Sequence, residues 1–185
     1  MELFDEPALK RRLEALPDLA RVAFAAACAA RMIEPWRDAR RTLGMADSDQ
    51  LPEAVASLWR YIRGGPVCDW ASLAEALISE IPDEDEISTP SHAVLDDALA
   101  ATAYALRAAL KFEPKEAAWA GRRLYEATDT HVQWSMTFRE YRPEIECALA
   151  DHPCVQQELL RQARDLDELE TAGPPVSDRN ESAFD

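Results

Sequence analysis

Apolar side chains recur every three to four residues along almost the whole chain, and that period limits what it can fold into. Leu9, Leu13 and Leu16 form one stripe, and Phe24, Cys28, Met32 and Trp36 form another at four-residue steps. Leu51, Val55, Leu58 and Ile62 continue the pattern, followed by Trp70, Leu73, Leu77 and Ile81. Leu95, Leu99, Thr102, Leu106 and Leu110 mark a longer segment, and Val155, Leu159, Leu166 and Leu169 a final one. Residues spaced this way share one face of an α-helix, whereas a half-buried strand needs strict alternation, and no convincing run of that kind occurs.

Proline and glycine punctuate the stripes at Pro17, Gly64-Gly65, Pro82, Pro90, Pro114, Pro143 and Gly173-Pro174. Proline breaks a helix interior but suits a first helical turn, so these positions read as boundaries. Residues 17–36, with seven alanines from Ala20 to Ala30, read as the central helix, into which neighbours can pack closely. Ser91 is expected to cap the long helix after Pro90, and the helix opened by Pro114 to run to about Phe138. No repeat of fixed period appears, which argues against a solenoid. The expectation is an all-α, single-domain bundle of seven or eight helices over residues 1–172, with an acidic, disordered tail at 173–185.

Composition narrows the function. With five Gly and no G-x-G spacing, the loops that cradle dinucleotides and phosphates are missing. The formal charge of −15 is unevenly placed. Residues 64–106 hold nine acids and no Lys or Arg, and residues 165–185 hold seven acids and one Arg, so these two segments account for all of it. Such a field repels the phosphate backbone and attracts a basic protein. The first sixteen residues, MELFDEPALKRRLEAL, lack the apolar run of a secretory signal, and the stretch 22–30 is too short to cross a bilayer. Four dispersed cysteines, at 28, 68, 147 and 154, read as reduced, packed thiols. The chain therefore reads as soluble and cytoplasmic, with no membrane or nucleic-acid partner; its oligomeric state is left open.

The search for chemistry is largely negative. Helical bundles hold paired metals through Glu-x-x-His motifs, and none is present, so no metal or other cofactor is expected. His131 shares a helical face with Ala120, Leu124 and Ala127 and reads as an inward, satisfied core residue; the functional alternative is a site shared with Glu126 or Asp129. His152 and Cys154 could be read as base and nucleophile, but Pro153 between them makes a helix cap the better account. The segment from Glu80 to Asp97 packs seven acids into eighteen residues without a cation. Asp96 and Asp97 fall near a helix start, where negative charge is favoured by the dipole. Asp83, Glu84, Asp85 and Glu86 exceed what one helix end can use. Together with Asp96, Asp97 and Trp119, an aromatic placed off the Leu124 face, they form the expected partner-binding set.

Three blocks carry a resemblance to a known family. The segment VAFAAACAARM, with a Pro and an aromatic following near Trp36, resembles a signature of small residues, Cys and Arg-Met. IPDEDE leading into HAVLDDALAATAYAL resembles an I-P-x-x-D turn before an Ala-rich helix with an Asp near its start. HPCVQQELLRQARDLDEL resembles a last helix opening on N-P-x-V-x-x-E, with His152 in place of the Asn. In this order and spacing the blocks resemble the YjaG-like family of bacterial helical proteins, a domain of unknown function. The resemblance implies an all-helical bundle of about this length, makes the turn after Pro82 part of the scaffold, and brings no catalytic residue.

Two functional expectations follow. The first is a non-enzymatic, acidic protein-binding module, in its most concrete form an immunity protein that neutralises a basic toxin. The second is a housekeeping protein of the YjaG-like family with an activity in a cleft between helices. An acidic nucleic-acid mimic ranks last, because the carboxylates cluster in one turn and one tail.

Overall fold

A computed structural model describes residues 3–81, 89–135 and 148–173. These form helices α1 (Glu6–Ala15), α2 (Asp18–Arg31), α3 (Ile33–Thr42), α4 (Gln50–Ile62), α5 (Trp70–Ile78), α6 (Pro90–Lys111), α7 (Pro114–Ser135) and α8 (Pro153–Ala172). No strand occurs among the described residues. The all-α class is as expected. The start of the helix expected after Pro143 lies outside the described residues, but residues 148–150 at its end are helical; the end of α7 beyond Ser135 and the tail beyond Gly173 also lie outside them.

The stripes read from the sequence are the buried faces. Phe24, Cys28, Met32 and Trp36 are all fully buried, as are Leu13, Leu51, Leu58, Leu99 and Leu106. Ten of the fourteen residues of α2 are buried, and α2 packs against α3, α4, α6, α7 and α8. It shares the centre with α6, which touches α2, α3, α4, α5 and α7. Leu110 departs from the pattern: it emerges at the exposed end of α6.

Two boundaries differ from expectation. The helix read as continuous over 17–36 breaks at Met32, whose N–H bonds to Ala29 O at 3.1 Å, one residue nearer than an α-helical acceptor. Pro35 explains the break, since it has no N–H for the Arg31 carbonyl and its ring would crowd that carbonyl. The α6 cap is Thr89 rather than Ser91: its Oγ1 accepts from His92 N at 3.3 Å, and Pro90 takes the first helical position. Other caps follow the sequence signals. Asp5 accepts from Ala8 N at 2.8 Å and Asp69 from Ser72 N at 3.1 Å.

Close packing concentrates around Gly121 of α7. A Cβ there would stand 3.0 Å from Gln162 Oε1, 3.2 Å from Phe24 Cε1 and 3.3 Å from Leu9 Cδ2, touching three helices at once. Apart from this main core, Val132, Leu149, Val155 and Leu159 form a smaller cluster beside Phe4 and Tyr125.

Candidate functional site

Asp83, Glu84, Asp85 and Glu86 lie in the connection between α5 and α6, outside the described residues. Asp96 and Asp97 are placed differently from expectation. Because α6 begins at Pro90, they sit in its second turn, beyond the reach of the terminal dipole. Nor does Asp97 form part of an open acidic face: it is 5% exposed, and its Oδ1 accepts from Arg123 Nη1 on α7 at 3.0 Å. The same nitrogen lies 3.4 Å from Asp96 Oδ2 and 3.7 Å from Glu126 Oε2. Burial pushes the Asp97 carboxyl up to about 7, against the pull of Arg123. Asp96 is also raised, first by burial.

Trp119 does not stand free as an anchor. Its ring packs on Tyr104, centroids 5.2 Å apart and tilted by 56°, with Lys115 Nζ 5.7 Å from its centroid. The exposed tryptophan is Trp134, 57% exposed in the last turn of α7. Trp119 is bracketed by Ala118 and Ala120, whereas Trp134 is flanked by Gln133 and Ser135, and that polar context was the available signal.

His131 is also corrected. It shares a helical face of α7 with the buried Leu124 and Ala127, but is itself exposed. There it borders a groove of about 230 Å³ between α3, α6 and α7, with Asp38 and Thr42 on one side and Pro90, Ser91 and Val94 on the other. Glu126 and Asp129, weighed as its partners, do not line this groove. The groove thus holds an imidazole and a carboxylate, although Asp38 also pairs with Arg41 at 2.9 Å.

His152 behaves as a cap, its Nδ1 accepting from Cys154 N at 3.3 Å. Cys28 is fully buried, and burial drives its thiol far up, so it is held protonated. Among the described residues, no group of three or more His, Cys, Asp or Glu could hold a metal.

A further polar network carries no signal in the periodicity of the chain and is buried. Arg31, buried at the C-terminal end of α2, donates from Nη1 to Asp165 Oδ2 at 2.7 Å and from Nη2 to Glu158 Oε1 at 3.3 Å. Gln162 Nε2 donates to Glu158 Oε1 at 3.0 Å and to the Gly121 carbonyl at 3.1 Å. Arg31 is held charged by the two acids, while burial raises Glu158 more than Arg31 lowers it. Arg31 Nε and Glu158 Oε2 are buried without a hydrogen bond. This network joins α2, α7 and α8. A lone Arg or Glu at a helical position carries no signal of burial, so only the resemblance blocks, which contain both residues, marked them.

No family model matches the chain, and no curated protein matches it. A solved structure does: a DUF416 family protein from Shewanella baltica OS155, with a TM-score of 0.76 and 15% sequence identity, aligned over 94% of this chain and 88% of that one. What the two share is the fold. The alignment spans most of both chains.

Proposed function

We propose that this protein is a non-enzymatic, acidic protein-binding module, most concretely an immunity-type factor that binds and neutralises a basic toxin in the cytoplasm. The observation that carries the reading is charge placement. The chain holds −15 overall, with four acids in a row at Asp83–Glu86 in a region without any Lys or Arg. Its cations are largely committed elsewhere: Arg12, Arg31, Arg40, Arg122 and Arg123 all pair with acids of the same chain. A net negative field of this kind speeds encounter with a basic partner and acts mainly on the association rate.

The test begins with a tagged pull-down from the native lysate at low and high salt, followed by stopped-flow association with the recovered partner. Neutralising Glu84, Asp85 and Glu86 together (E84Q, D85N, E86Q) should slow association at low salt by about tenfold or more, leaving the urea midpoint unchanged. An unchanged low-salt rate would remove these residues from the interface.

A second reading has its own support. The groove bearing His131 and Asp38 is the kind of inter-helix cleft that a housekeeping activity of a YjaG-like protein would use. Failure to recover any basic protein at either salt would favour this reading, and small-molecule screening against His131→Ala would follow.

A further inference from the structure

Three carboxylates converge on one guanidinium nitrogen where α6 meets α7. Asp97 Oδ1, Asp96 Oδ2 and Glu126 Oε2 lie 3.0, 3.4 and 3.7 Å from Arg123 Nη1. A second cation, Arg122, is divided between Glu126 at 2.8 Å and Glu6 at 3.1 Å. Asp129, one turn beyond Glu126, adds a further half-buried carboxyl. Two guanidinium groups are therefore shared among four acids, Glu6, Asp96, Asp97 and Glu126. At the surface the surplus would be screened by water, but Asp97 is shut into the seam between the two helices, where an uncompensated charge is costly.

We propose that this seam is a pH-sensitive joint, in which Asp97 holds a proton that relieves the surplus charge and whose loss weakens the packing of α6 on α7. Among the described residues, the charged groups acting on Asp97 are Arg123 and Glu126 from α7 and Asp96 from its own helix. Of these, only Arg123 favours the ionised form, and it does so while shared.

The sign of the effect follows from burial. Asp97 is raised to about 7 in the folded protein, whereas an unfolded aspartate titrates near the usual carboxylate value. Above that folded value it is ionised in both states, and the full destabilisation is present. As the pH falls through 7, the folded state takes up a proton that the unfolded state does not bind until about 4, so stability rises on acidification. Asp96, Asp129 and Glu158 shift in the same direction, which makes a comparison with a variant at Asp97 necessary.

The experiment pairs two readouts on the full chain. Urea midpoints are measured between pH 5.5 and 8.5 for the wild type and for Asp97→Asn, which keeps an oxygen to accept from Arg123 and cannot ionise. The wild-type midpoint should fall as the pH rises through 7, and Asp97→Asn should fall less, so that the variant is the more stable protein at pH 8.5. Carbon-13 NMR of the Asp97 side-chain carboxyl, read on the folded wild type, should show its titration within about one pH unit of neutrality. Parallel midpoint curves for the two proteins, or a carboxyl that titrates near 4, would overturn the proposal. The NMR titration decides the matter even if Asp97→Asn folds poorly.

Discussion

At the scale of single residues, the buried Arg31–Glu158–Asp165 network sets the highest stakes. A buried ion pair contributes little net stability compared with an apolar replacement, but losing one partner leaves a charge stranded. Glu158→Ala should therefore destabilise the fold by about 3–5 kcal/mol. Glu158→Gln should cost less, about 1–3 kcal/mol, because its oxygen still accepts from Arg31 and Asp165 still balances the charge. The double replacement Arg31→Met with Glu158→Leu should be less damaging than Glu158→Ala alone. Urea denaturation of the three variants checks the order; a double variant worse than Glu158→Ala would mean that the network adds stability outright.

The same residues show what a sequence can and cannot reveal at this scale. The Arg of the ARM motif, the Asp pair of VLDD and the Glu of HPCVQQE each lay in a block that carried the family resemblance. Arg31, Asp97 and Glu158 are each buried in the structure, while Asp96 is half-buried. Periodicity alone would have left all three on solvated faces, because a charged side chain at a helical position defaults to the surface. His131 shows the opposite case. It lies on the stripe of Leu124 and Ala127, but a stripe does not say how far along its length neighbours cover it.

At the scale of elements, the turn between α6 and α7 depends on one side chain from α2. Phe112 adopts a left-handed backbone, φ 55°, which a residue with a Cβ occupies only under constraint. Its N–H bonds to Ala108 O at 2.9 Å, and its carbonyl accepts from Arg21 Nη1 at 2.8 Å. Arg21 Nε also donates to Leu13 O at 2.9 Å, so a single guanidinium closes the C-terminal ends of both α1 and α6. Lysine has the charge but not the fork that reaches two carbonyls in different directions. Arg21→Lys and Arg21→Ala should accordingly both lower stability by about 1–3 kcal/mol, measured as urea midpoints. If lysine restored full stability, charge rather than geometry would be the cause.

The break between α2 and α3 belongs to this scale too. The sequence showed Pro35, yet the continuous stripe through Met32 and Trp36 argued for one helix. Both signals are satisfied in the structure: the backbone breaks at Met32, and all four stripe residues stay buried on either side.

At the scale of the whole molecule, α8 is held in two different ways. Its second half contributes Leu166 and Leu169 to the main core, whereas Val155 and Leu159 belong to the separate small cluster. Arg12 ties the second half further, to Asp167 at 2.7 Å and Glu170 at 2.9 Å. Regions with fewer core contacts open at lower free energy. Hydrogen exchange should show amides of residues 157–160 exchanging faster than those of 166–170, and uniform protection along α8 would show instead that both clusters unfold as one. The net charge also acts at this scale, because it sets the field that any partner meets before contact.

The helical character of the chain, the starts of most helices and the inward stripe of each can be read from the amino acids alone. Those properties are local: a three-to-four-residue period, a proline, or a capping Asp acts within a turn or two. Only the tertiary structure decided that Arg31 meets Glu158, 127 residues away, and that Asp97 faces Arg123 rather than a partner. It also decided that the exposed tryptophan is Trp134 and that His131 edges a groove. The physical reason is that an amphipathic pattern names the face a helix must bury but not the helix that covers it. Charge balance inside a seam depends on that second choice.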